Sequence, residues 1–181
     1  MSNLTTAPGR ASASPAAHEP IPSPTANLLY EAFYGGAFGG SVIALFFLIV
    51  DFFKGQPLFT PSLVGTALFT GADPQAITVV RYDMVAYFTI VHFAAFGLLG
   101  AFISRLSHRS QLIDQHLLVM AGAVFLILTA AILVGDVLFM PGIVAAMGVV
   151  PVLAGNAITG VVMAAFMQSA HEKERALGAF D

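Results

Sequence analysis

Four long apolar stretches joined by short polar breaks constrain this chain more than any other feature. They cover residues 28–53, 84–106, 117–140 and 142–170. Each exceeds the roughly 20 apolar residues that a helix needs to cross a bilayer. Only 9% of the 181 residues are charged and 57% are hydrophobic, against about 45–50% apolar in an ordinary soluble domain. The expected fold is all-α: an integral membrane bundle of four transmembrane helices, with a short interfacial or re-entrant helix in the first loop. Residues 1–27 form a tail, 28–170 the membrane domain, and 171–181 a charged C-terminal tail.

Composition excludes several classes of function. The net charge is −3 and no basic surface suggests nucleic acid. There is no cysteine, which removes disulfides, thiolate metal sites and cysteine nucleophiles. There is no tryptophan either, so Tyr and Phe must serve any aromatic belt. The first residues lack the basic start and short apolar core of a cleaved signal peptide. They are rich in Ala, Ser, Thr and Pro, as in Ile21-Pro22-Ser23-Pro24, a composition that stays disordered. The first apolar run is therefore expected to be an uncleaved signal anchor.

Arg10, Arg105, Arg109, Lys173 and Arg175 fall in the N-terminal tail, the second loop and the C-terminal tail. Four spans put those three segments on one side. Lys54 and Arg81 flank the first loop on the other. By the positive-inside rule both termini are cytoplasmic.

Within the first span, Gly35/Gly39 and Gly36/Gly40 form two overlapping small-xxx-small pairs. Such pairs let helix backbones touch in lipid. They serve packing within the chain or against a second copy or another subunit. In the first loop, Thr60 is placed to cap a helix and Pro61 suits its first turn; the helix is expected over 61–70, ended by Gly71. Asp73-Pro74 marks a second cap-like start. Gly122, Thr129 and Asp136 recur every seven residues in the third span, a spacing that suits a helix–helix seam. Met140-Pro141-Gly142 is expected to turn tightly into the fourth span, with a kink at Pro151. Asn156, Thr159, Gly160, Met163 and Met167 share one face of that helix and are expected to look inward.

Ionisable groups inside spans are costly and mark candidate sites. His92 lies about 13 Å along the helix from Asp83, near the midplane. It could ligate haem, donate to a quinone, relay protons, or simply bond to Asn156, Thr159 or a backbone carbonyl. A bis-His haem site lacks a second histidine at that depth: His108, His116 and His171 sit at inner ends and His18 in the tail. Asp51, Arg81 and Asp83 form an expected outer-interface charge cluster, with Asp51 pairing to Lys54 or Arg81. Asp136 lies one turn inside its span, and a bond to Arg81 would lower its cost. Glu31 complements the start of the first helix dipole. The candidate ligand or proton-relay set is thus His92, Asp136, Asn156 and Thr129, and the packing set is Gly35, Gly36, Gly39, Gly40 and Gly160. No metal-binding spacing and no catalytic motif is present.

The Pro57-Leu58-Phe59-Thr60-Pro61 loop with the four-span layout resembles small bacterial inner-membrane proteins, which implies that location. The leading expectation is a non-catalytic accessory or structural subunit that meets the bilayer and other subunits or itself. The competing expectations are a small-molecule or ion carrier using Asp136, His92 and Asn156, and a redox subunit holding haem or quinone through His92.

Overall fold

The computed structural model describes the backbone of residues 24–109 and 116–178, with side chains for 33–106, 116–169 and 172. The described residues are helical and contain no strand. Helix α1 spans Pro24–Phe53, α2 Phe59–Thr70, α3 Tyr82–Arg109, α4 Leu117–Leu138, α5 Ile143–Met147 and α6 Val149–Gly178. A 3-10 turn, Pro74–Ala76, sits between α2 and α3. Among the described residues four segments are long and apolar enough to cross a membrane: Phe33–Phe53, Tyr82–Leu106, Leu117–Leu138 and Val149–Ser169.

Glycine ends α1. Gly55 takes φ 75°, a conformation open to glycine without steric cost. Gln56 N–H then donates to the Asp51 carbonyl and Gly55 N–H to that of Phe52. This is the paired bonding of a Schellman motif, which satisfies carbonyls the helix end would leave bare. Gly71, at φ 67°, closes α2 in the same left-handed region, its N–H donating to Ala67.

The fourth span differs from expectation. Pro141 and Gly142 do make a tight turn: Ile143 N–H donates 3.0 Å to the Met140 carbonyl, with Gly142 at φ 88°. That is the bonding and sign of φ of a type II turn, with Pro and Gly at its two central positions. But the helix that follows is only α5. Gly148, at φ 95° and ψ 129°, breaks it, and the spanning helix starts at Val149. Pro151 accordingly lies in the first turn of α6, where no intrahelical donor is lost, and is not a mid-helix kink. At the other end of the chain α1 starts at Pro24, a few residues before the expected 28.

Helices α1 and α3 pack together, as do α1 and α6, and α4 and α6, while α3 and α4 make no comparable contact. The spanning helices thus run in the order α3, α1, α6, α4. Glycine permits the closest approaches. A Cβ on Gly36 would lie 2.4 Å from the Phe96 carbonyl oxygen in α3, and one on Gly160 would lie 2.7 Å from that of Ala121 in α4. Gly39 faces Met163 and Phe96, and Gly35 faces Phe166 and Met167. The small-residue pairs of α1 are therefore occupied within the chain, Gly36 and Gly40 by α3, Gly35 by α6, and Gly39 by both. Gly65 plays the same part for α2, where a Cβ would lie 2.5 Å from the Met84 carbonyl oxygen, a close approach not foreseen from the sequence.

Two buried cores result. One gathers Phe47, Leu63, Val64, Ala67, Met140, Ile143, Met147 and Val152 beneath α2 and α5. The other, at the opposite end of the spanning helices, holds Ile103, Met120, Ala121, Val124, Met163, Ala164 and Met167.

Candidate functional site

Between these cores lies a cavity of about 640 Å³, within the usual size of small-molecule sites. Its walls come from α1, α3 and α4, joined by Val152 and Asn156 of α6, with α2 and Met147 of α5 closing one end. Phe47, Val64, Met140 and Val152 reach it from one core, and Leu99, Ile127 and Leu128 from residues packed on the other. Thr89, Phe93 and Ala131 line it yet remain exposed, so it is partly open. The wall is almost wholly apolar. Its polar side chains are Ser41, Thr60, Thr89, His92 and Asn156.

His92 is half-buried on α3. Its Nε2 lies 2.9 Å from the Gly40 carbonyl oxygen on α1. A carbonyl oxygen only accepts, so Nε2–H is the donor. The ring sits among Phe88, Phe93 and Phe96, with centroids 5.4, 5.3 and 4.8 Å away. Of the partners expected for His92, a backbone carbonyl is the one found. Gly40 supplies it because the absent side chain leaves α1 open to α3 at this level.

Asn156 is buried on α6 and donates 3.2 Å from Nδ2 to Thr129 Oγ1 on α4. The α4–α6 seam thus carries the Asn156–Thr129 pair. The seven-residue stripe is otherwise not a single seam: a Cβ on Gly122 would meet nothing within 4 Å. The inward face expected of α6 is present, with Asn156, Thr159, Met163 and Met167 all buried. The Thr159 hydroxyl is enclosed without a hydrogen-bond partner.

Asp136 is not part of the cavity wall and does not meet Arg81. Its Oδ1 accepts from Val144 N–H at 2.9 Å, so it holds the start of α5. The expected charge cluster also divides. Arg81 and Asp83 form an exposed ion pair at 2.6 Å, which raises the Arg81 guanidinium above its ordinary value through the side-chain bond to Asp83. Pairs this exposed add little stability. Asp51 is 1% exposed and stands apart from Lys54 and Arg81. Its two carboxylate oxygens accept from Thr60 N–H at 2.6 Å and from the Thr60 hydroxyl at 2.7 Å. Thr60 is therefore not the cap of α2. The capping oxygens come from Asp51, at the end of the preceding helix, where a carboxylate meets the N-terminal dipole.

This arrangement requires backbone strain. Leu58, just before α2, has φ 67°, the one non-glycine residue at positive φ among those described. A left-handed non-glycine residue costs roughly 1–2 kcal/mol. The turn brings Thr60 onto Asp51 and places Leu58 in the cavity wall.

Gln75 Nε2 donates 3.3 Å to the Gly142 carbonyl, and Arg81 N–H donates 2.7 Å to Ser62 Oγ. These bonds tie the 3-10 turn to the α4–α5 turn and the start of α3 to α2. Asp73 does act as the expected cap, its Oδ1 accepting from Gln75 N–H at 2.9 Å.

Among the described residues no group of three or more His, Asp or Glu side chains is placed to hold a metal ion. Glu31, His108 and His171 lie outside the described side chains, and His18 outside the described backbone. No protein family, curated protein or solved structure matches the chain.

Proposed function

We propose that this is a non-catalytic polytopic protein of the bacterial inner membrane that holds a lipophilic small molecule in the cavity beside His92. The four helices form a bundle across the bilayer with both termini cytoplasmic, and α2 lies tucked against the outer half, roofing the cavity. The observation that carries the reading is the cavity itself: about 640 Å³, apolar, with five polar residues on its wall. Pockets of this size and lining suit drug-sized apolar molecules. The gap between α3 and α4 offers entry from the lipid. The carrier reading is less well served, because Asp136 is engaged with α5 rather than with His92 and Asn156.

The test is native mass spectrometry and organic extraction of protein purified gently from its source membrane. The wild type is expected to carry a co-purifying lipophile at close to one per chain. Ala131→Phe, which adds a ring to an exposed position on the cavity wall, is expected to lose it while folding normally. Equal retention by both proteins, or none by either, defeats the reading.

A further inference from the structure

We infer that His92 presents a hydrogen-bond acceptor to the cavity, so that its occupant is a lipophile carrying a hydroxyl donor. The inference rests on the cavity being a lipophile site and names the chemistry of its ligand: a phenol, quinol or long-chain alcohol rather than a quinone or ester, which only accept.

The donors on the wall are largely committed. His92 Nε2–H donates to the Gly40 carbonyl. The Thr89 hydroxyl donates 2.7 Å to the Val85 carbonyl, one turn back on its own helix. The Thr60 hydroxyl donates to Asp51, and Asn156 Nδ2 to Thr129. Beyond the second amide hydrogen of Asn156, the remaining wall hydroxyl is Ser41, exposed on α1. What faces a ligand is therefore rich in acceptors.

Among these acceptors His92 is the distinctive one. With Nε2 protonated, a neutral imidazole leaves Nδ1 as an acceptor. Three phenyl rings surround the imidazole, and no ion pair reaches it among the described residues. An isolated charge in such surroundings is costly, so the neutral form is the one held. Nδ1 has no hydrogen-bond partner among the described residues. A half-buried acceptor left unmatched costs free energy that a ligand hydroxyl recovers. A quinone carbonyl set against Nδ1 would place two acceptors together.

Two probes isolate the donor. 4-Nonylphenol and its methyl ether, 4-nonylanisole, share an apolar body and differ in one hydroxyl. Binding of each to the full chain in lipid nanodiscs is measured by titration. The phenol is expected to bind about five- to tenfold more tightly, the span of one hydrogen bond. His92→Leu should bring the two affinities together. His92→Gln, which keeps a donor for Gly40 and an acceptor for the cavity, should retain the preference. Equal binding of the two probes by the wild type overturns the donor inference and leaves the lipophile site standing; binding of neither overturns both. Should His92→Leu fail to fold, the wild-type comparison decides alone. Quinols and lipid alcohols share the hydroxyl, and competition separates them. Displacement of the phenol by a decyl benzoquinol alone assigns a quinol, displacement by dioctanoylglycerol alone a lipid alcohol, and displacement by neither overturns the assignment to a membrane hydroxyl.

Discussion

Asp51 is the most consequential charged residue at the α2 end of the fold. It is 1% exposed and its partners are a backbone N–H and a hydroxyl, with no cation among the described residues. Burial of a carboxylate is tolerable here because both oxygens accept short bonds and the N-terminus of α2 faces them. Asp51→Ala is expected to destabilise the protein by about 2–3 kcal/mol, a buried cap plus a lost hydroxyl bond, measured by thermal unfolding in detergent. Asp51→Asn should fall between the wild type and Asp51→Ala, since its amide keeps one accepting oxygen. Glycine positions offer a sharper contrast. Gly36→Ala meets a backbone oxygen at 2.4 Å that cannot swing away, whereas Gly97→Ala meets nothing within 4 Å. The first should cost about 3 kcal/mol by forcing α1 and α3 apart. The second should remain within about 1 kcal/mol of wild type, since alanine suits a helix at least as well as glycine. The same unfolding assay checks both.

At the scale of elements, the short pieces are held by side chains from elsewhere. Helix α5 is only five residues long, far below the length at which a helix is stable alone. Asp136 reaches eight residues ahead to satisfy its Val144 N–H, and Ile143 and Met147 are buried in the core they share with α2. Asp136→Ala should leave Val144 N–H unmatched and speed amide exchange across 144–148 about tenfold, read by hydrogen exchange with mass spectrometry. Asp136→Asn keeps an accepting oxygen and should preserve most of the protection. A role in proton relay would instead demand the ionised group, so the pair of variants also separates capping from transport. Helix α2 is secured in the same way, by Asp51 at its start and by the close approach of Gly65 to α3.

At the scale of the molecule, the order α3, α1, α6, α4 leaves the first and last helices of the row unpaired with each other. The two cores fill the ends and the cavity occupies the middle, where His92 and Asn156 stand. Topology is open to a direct test because the chain has no cysteine. The proposed orientation places Gln56 outside and His116 inside, and both are exposed. Gln56→Cys should react with an impermeant maleimide in intact cells, and His116→Cys only after permeabilisation. The reverse pattern would invert the topology; labelling of both would break the four-span arrangement.

The sequence by itself determined the spanning helices, because hydrocarbon thickness and the scarcity of charge leave an uninterrupted apolar run little else to do. It also marked the close helix contacts of α1, the Pro141–Gly142 turn, the cap at Asp73 and the inward face of α6, all written in local residue types. What it left open was partnership. Asp51 next to Lys54 and near Arg81 reads as an ion pair, yet the fold brings it Thr60 instead. Asp136 and His92 read as one polar path, yet one turns to α5 and the other to Gly40. Partners separated by 52 residues, as His92 and Gly40 are, leave no trace in local pattern. The cavity is likewise a product of tertiary structure alone, since glycines let α1 close onto α3 and α6 while α3 and α4 make no comparable contact.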